Sequence, residues 1–289
     1  MSTVKEASVK RGTSKSVGFM IGGLLVSIAI MFLVFWYMGR LAGYDKEYTG
    51  YAGEQQVLSQ RIAKYALEAS SGSKEAFDQV VKYRDRFGQT LSYMRSGNVA
   101  TGLPPTQGEP EKPLADTEAK WEQFGGLINT VLSGKELVLL LSEAVGAINE
   151  QMPALAQNDE DVVNILVAKG ATQTQIKVAS RQLMLSQRIV NNLNSVLSGQ
   201  GGAEATEQFA NDVEEYGSVL EGMVRGNDKI AKIEDKEVQS KLFNASMQFT
   251  VVSDYVGELL DNAEALQSVQ TAAREAARMS DEVFASSLG

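Results

Sequence analysis

The chain has 289 residues, with 36 acidic against 27 basic side chains and a net charge of −9. That balance argues against nucleic acid as a partner, because phosphate binding demands clustered Lys and Arg. It has no Cys and no His, which removes disulfides, thiolate chemistry, the commonest general base and the commonest transition-metal ligand.

A carboxylate-only site is the one chemistry left open, and no Asp/Asn/Gly-rich loop with calcium-ligand spacing is present. No catalytic residue, metal or cofactor is therefore expected, and the chain does not read as an enzyme.

The N-terminal tail, residues 1–16, carries Lys5, Lys10, Arg11 and Lys15 against Glu6 alone. From Val17 through Met38 there is no charge. At about 1.5 Å per residue such a helix spans roughly 33 Å, enough for a hydrocarbon core of about 30 Å. The basic tail predicts a cytoplasmic N-terminus. Trp36 and Tyr37 close the far end, where amphipathic rings favour the interface. A cleaved signal peptide would have a shorter apolar stretch and a small-x-small cleavage site, so residues 17–38 are read as a transmembrane helix of the bacterial inner membrane. Residues from about 40 onward are then periplasmic. Gly18 and Gly22, and likewise Gly39 and Gly43, have the small-residue spacing that lets membrane helices approach.

Beyond the anchor, the breakers are concentrated. Four of the five prolines (Pro104, Pro105, Pro110, Pro113) lie in one Gly-rich stretch, which predicts a loop over 97–113. The fifth, Pro153, predicts a kink or end near Met152. Ser73, Asp116 and Ser133 stand where N-caps are expected, Ser133 and Glu136 with capping-box spacing. The predicted helices are 17–71, 74–96, 115–132, 135–169 with a break at Pro153, 171–198, 204–225, and one long helix from about 235 to the end. The acids Asp159, Glu160 and Asp161 then read as a solvated start of the helix after Pro153. Trp121, Phe124, Phe243 and Phe249 read as core. Tyr44, Tyr48 and Tyr51 would line the juxtamembrane bundle. The class is all-α.

The pentapeptide LSQRI occurs at 58–62 and again at 185–189, an offset of 127 residues. Gln55 and Gln182 precede the copies at the same distance. Ser71-Gly72 and Ser198-Gly199 follow them. Phe87, Gly88, Leu91, Met94, Gly97 and Asn98 are echoed by Tyr216, Gly217, Leu220, Met223, Gly226 and Asn227 at an offset of 129. A repeat of this size predicts a duplicated supersecondary unit: a first helical module over 39–170 and a second over 171–289, stacked as an elongated rod. Helical spacing places Leu58, Ile62, Tyr65 and Ala69 on one face. It also predicts a double seam of Ile176, Leu183, Val190 and Leu197 with Ala179, Ser186 and Leu193. Ser59 and Ser186 fall on the apolar side, where a small residue permits close helix packing. Arg61 and Arg188 flank it, and Gln60 and Gln187 point outward. Packing is the first reading of the motif; ligand or partner contact by Gln60, Arg61, Gln187 and Arg188 is the second.

The anchor, the frame GEQQVLSQRIAKYALEASSG at 53–72 and its partner ASRQLMLSQRIVNNLNSVLSG at 179–199 resemble the sensory region of methyl-accepting chemotaxis transducers associated with type IV pili. The resemblance covers essentially the whole chain. It implies a receptor that detects pili, surface contact or a ligand and controls twitching motility. It further implies a homodimer paired through its anchors, with pilin as a possible stimulus and a CheA-like kinase and CheW-like adaptor as cytoplasmic partners. Such receptors continue into a second transmembrane segment, a HAMP linker and a methylated coiled coil, so the chain reads as a sensory half that ends within a long helix. The first motif helix also resembles nitrate sensor kinases, whose anion-gripping arginine would fall at Gln56 and Leu183. Neither is cationic, and nitrate is not the expected ligand. The alternative to a receptor is a membrane-tethered helical adaptor without signalling output.

Overall fold

The computed structural model describes residues 10–106, 111–199 and 202–287, with side chains over 18–106, 112–199 and 202–281. The tail's first nine residues and Pro110 therefore lie outside it. The described residues form eight helices: α1 (Lys10–Ser70), α2 (Lys74–Ser96), α3 (Glu111–Ser133), α4 (Lys135–Ala168), α5 (Gln173–Leu197), α6 (Gly202–Arg225), α7 (Lys236–Asp261) and α8 (Ala263–Ser287). The all-α reading holds.

The first part of α1 has nothing to bury against. Phe19, Leu24, Phe32, Phe35 and Trp36 are all exposed, and this helix is long and apolar enough to cross a membrane. From Ala52 onward α1 acquires a buried face, and its 61 residues extend over about 90 Å.

Helix starts follow local chemistry. The Ser73 hydroxyl accepts from the Ala76 N–H at 3.3 Å, as its position predicts. Thr172 and Gln175 close a reciprocal capping box that opens α5. Asp235 accepts from the Glu237 and Val238 N–H groups and opens α7. Three expectations are corrected. Asp116 is not a cap, because α3 has already begun at Glu111, with Pro113 in its first turn, where a missing N–H costs nothing. Ser133 is not a cap either: it is the last residue of α3, and Gly134 takes the N-cap of α4 without a side-chain bond. Pro153 lies inside α4, which runs through it.

The long C-terminal helix is divided at Asn262, with φ −110° and ψ 6°, whose amide donates to the Glu258 carbonyl at 2.8 Å. Thus α3–α4 and α7–α8 are two long helices, each broken at one residue. They decide the packing. The segments α1, α2, α3 and α8 form one four-helix group; α4, α5, α6 and α7 form the other. Each main pair in the first group has a counterpart in the second: α1–α2 with α5–α6, α1–α8 with α5–α4, and α3–α8 with α7–α4. Contacts therefore cross between the halves 39–170 and 171–289: α4 packs in the group of the second hairpin, and α8 in that of the first.

The aromatic layer repeats too. Trp121 of α3 stacks on Phe87 of α2 with centroids 3.9 Å apart, and Phe249 of α7 packs on Tyr216 of α6 at 4.7 Å. Phe124 is fully buried, but Phe243, expected in the core, is exposed. It shares an outward stripe of α7 with Met247 and Val251, four residues apart. Tyr51 and Tyr48 bond to the loop after α2, through Asn98 and the Pro104 carbonyl respectively. The two Gly-Asn pairs end the hairpins. Gly97 and Gly226 have φ of +83° and +85°, the region glycine enters without strain, and Asn98 and Asn227 then close the turn on backbone N–H groups.

Candidate functional site at the repeated motif

In the first copy, on α1, Leu58, Ser59 and Ile62 are buried while Gln60 and Arg61 face outward. The Ser59 hydroxyl donates to the Gln56 carbonyl at 2.9 Å on its own helix and lies 3.3 Å from the Ser280 carbonyl of α8. A side chain this small satisfies its own polarity and lets α8 come close. The Arg61 guanidinium sits over the Tyr83 ring of α2, 5.4 Å from its centroid.

The second copy, on α5, repeats the burial pattern and changes the partners. Ser186 is buried and donates to the Leu183 carbonyl at 2.8 Å. Gln187 is exposed and lines a groove between α4 and α5 with Asn149, Met152, Pro153, Val190 and Asn191. Arg188 reaches Asp212 of α6 at 2.5 Å, and Asn192 donates to the other oxygen of that carboxylate at 2.7 Å. Asp212 is almost wholly buried. The buried stripe of α5 runs through Ala179, Gln182, Leu185, Ser186, Ile189, Leu193 and Val196. Of the expected double seam, Ala179, Ser186 and Leu193 are buried, while Ile176, Leu183, Val190 and Leu197 are only half-buried. The core is centred on the motif itself, one position round from the heptad reading.

Sequence reasoning missed the residues behind the motif. Asp159, read as a solvated acid, is 1% exposed. Because α4 passes through Pro153, its buried stripe continues Ile148, Met152, Leu155, Asp159, Val162, Leu166 at alternating spacings of four and three. That spacing was the available signal, and the helix-breaking assumption hid it. The Tyr216 hydroxyl lies 3.1 and 3.0 Å from the two Asp159 oxygens, and the Ser186 hydroxyl of the motif is near enough to favour the charged carboxylate. Burial pushes the Asp159 carboxyl up to about 7, against the opposing pull of Tyr216 and Ser186. Burial also raises the Tyr216 phenol well above its ordinary value. Gln182 donates to the Tyr216 carbonyl at 3.3 Å, and its Oε1 is buried with no partner.

The first group lacks this chemistry at the matching places. Phe87 stands where Tyr216 does. Ser280, in the run Met279-Ser280-Asp281-Glu282-Val283, stands where Asp159 does in Asn158-Asp159-Glu160-Asp161-Val162. Gln55, the counterpart of Gln182, is buried with both amide atoms unpartnered. Where the phenol is absent, so is the carboxylate.

Gly18 and Gly22 lie on the exposed first part of α1, with nothing within 4 Å of an added Cβ. The structure thus separates the expected site residues. Ser59 and Ser186 are core, Arg61 and Arg188 brace α1 to α2 and α5 to α6, and Gln187 opens onto a groove that Ser186 also lines.

Residues 40–147 match the family described as type IV pili methyl-accepting chemotaxis transducer N-terminal domain. The chain is 36% identical to Protein PilJ of Pseudomonas aeruginosa over 254 residues, covering 86% of this chain and 37% of that protein. It is 30% identical to the putative methyl-accepting chemotaxis protein AlkN of Alcanivorax borkumensis over 266 residues, covering 91% of this chain and 38% of that protein. The chain spans well under half the length of these relatives. It belongs to the PilJ family, matching the N-terminal part of these transducers.

Proposed function

We propose that this region is the periplasmic sensor of a type IV pilus-associated receptor of the inner membrane, with a cytoplasmic N-terminus, a span over 17–38 and residues from about 40 onward outside. It detects pili, surface contact or a ligand and controls twitching motility. It acts as a homodimer paired along Gly18 and Gly22, signalling to a CheA-like kinase through a CheW-like adaptor. Two stacked copies of a helical module make up the sensor. The observation that carries this reading is the paired packing: each LSQRI hairpin is completed by one segment from each of the two long broken helices. A shift of one long helix is then felt by both motifs at once. Packed helices move between discrete arrangements about 1–2 Å apart, which suits a transmembrane signal.

The test is Ser186→Leu in the receptor that carries this region. The added bulk overfills the buried α4–α5 contact, at a cost of about 1–3 kcal/mol. A kinase or twitching readout should then be biased in the absence of stimulus. Normal output per folded molecule would favour a non-signalling tether.

A further inference from the structure

Three features of the second helix group converge. A carboxyl group lies in the core with no cation paired to it among the described residues. A phenol bonds to both of its oxygens. The side-chain amide of Gln182, one helical turn before the motif serine, donates to the Tyr216 carbonyl at 3.3 Å, and its oxygen has no donor at all. We propose that this cluster is a proton-binding site: Asp159 takes up one proton in the core between α4, α5 and α6, and the Tyr216 hydroxyl then turns from Asp159 to Gln182 Oε1.

The hydrogen-bond inventory drives the exchange. With Asp159 ionised, the carboxylate accepts from Tyr216, and Gln182 Oε1 stays unsatisfied, a costly state for a buried acceptor. With Asp159 neutral, its own O–H donates to Tyr216 Oη, the phenol proton is free for Gln182 Oε1, and every buried polar atom of the cluster has a partner. No bond is broken other than hydrogen bonds, and the single added proton comes from solvent. The value of about 7 for Asp159 places the exchange near neutrality.

Among the described residues, no ion pair joins Asp159 to a charged group of the neighbouring elements, and several of those groups pair with one another. On α4, Asp161 pairs with Lys241 of α7, and Glu160 is exposed. On α5, Arg181 pairs with Glu215 and Arg188 with Asp212, both of α6. From α7, Gln248 bonds to Asn158 and Phe249 covers Tyr216. The first helix group, with Phe87 and Ser280 at these places, has no equivalent group to titrate.

That the proton serves as a stimulus rests on the receptor reading; proton uptake does not, and its test needs no signalling partner. The full chain in lipid nanodiscs is titrated by infrared difference spectroscopy. A protonated-carboxyl band should fade with a midpoint near neutrality and be absent in Asp159→Asn. Tyr216→Phe, which installs the residue found at position 87, should raise the midpoint by removing a donor to the carboxylate. Gln182→Leu should lower it by removing the acceptor that the neutral state uses. Each shift should be roughly one pH unit, a tenfold change in proton affinity. A band that survives in Asp159→Asn, no titrating band near neutrality, or an unmoved midpoint in Gln182→Leu overturns the proposal. If Asp159→Asn does not fold, the opposed shifts of the other two variants decide it.

Discussion

Asp159 and Arg188 show how much single side chains differ within one motif region. Asp159 has a folded value of about 7 against an ordinary 3.8. Between these values the folded chain holds a proton that the unfolded chain has lost, so the contribution of Asp159 to stability is fully present below about 4 and is lost as pH rises to about 7. The two values imply a loss of roughly 4 kcal/mol across that window. Asp161 and Asp235, held low by Lys241 and Lys169, act in the opposite direction and only at lower pH. Chemical unfolding at several pH values should show this decline in the wild type and a flat profile in Asp159→Asn. A wild type equally stable at both ends of the window would contradict the assignment.

The two motif arginines should also part company. Removing Arg188 leaves the buried Asp212 carboxylate with Asn192 as its remaining side-chain partner, a loss of about 1–3 kcal/mol. Removing Arg61 forfeits an exposed contact with Tyr83, worth about 0.5–1 kcal/mol. Denaturant midpoints of Arg188→Ala and Arg61→Ala should fall in that order. Equal midpoints would mean that Arg188 is no more structural than Arg61.

At the scale of elements, the breaks in the two long helices matter most. Gly134 sits between α3 and α4, and a Cβ there would run into Val269 of α8. The break is thus also a point where α8 approaches closely, and glycine is required by contact rather than by dihedral, since its φ is −81°. Gly134→Ala should push α8 outward and destabilise the fold by about 1–3 kcal/mol. Neither Ser133 nor Pro153 behaves as its local pattern suggests. Ser133 forms no cap because the chain continues into α4 within one residue. Pro153 ends nothing because α4 is held along both sides of it by α5 and α7. Packing along a long apolar stripe outweighs one lost backbone bond.

For the whole molecule, the crossing of α4 and α8 makes the two halves interdependent. A chain ending at residue 170 would carry α4 without α5 and α7, and α1–α3 without α8. Each piece alone should expose apolar faces and lack a cooperative transition, whereas the two co-expressed halves should associate into a folded complex. Circular dichroism and heteronuclear NMR of each half and of the mixture would show it. A first half that folds by itself would mean that the crossed contacts add little.

The sequence by itself determined the helical class, the apolar first helix, the repeat and the burial of Ser59 and Ser186, because each follows from local spacing and from side-chain polarity. It also held Gln55, Gln182 and the exchange of Phe87 for Tyr216 in plain view as repeat positions, without saying what they face. Only the tertiary structure decided that Tyr216 faces Asp159, that Arg188 serves Asp212, and that the long helices pass between hairpins. Those outcomes depend on which helices become neighbours. That choice is made by the summed burial of whole faces far apart in the chain, and no local pattern carries it.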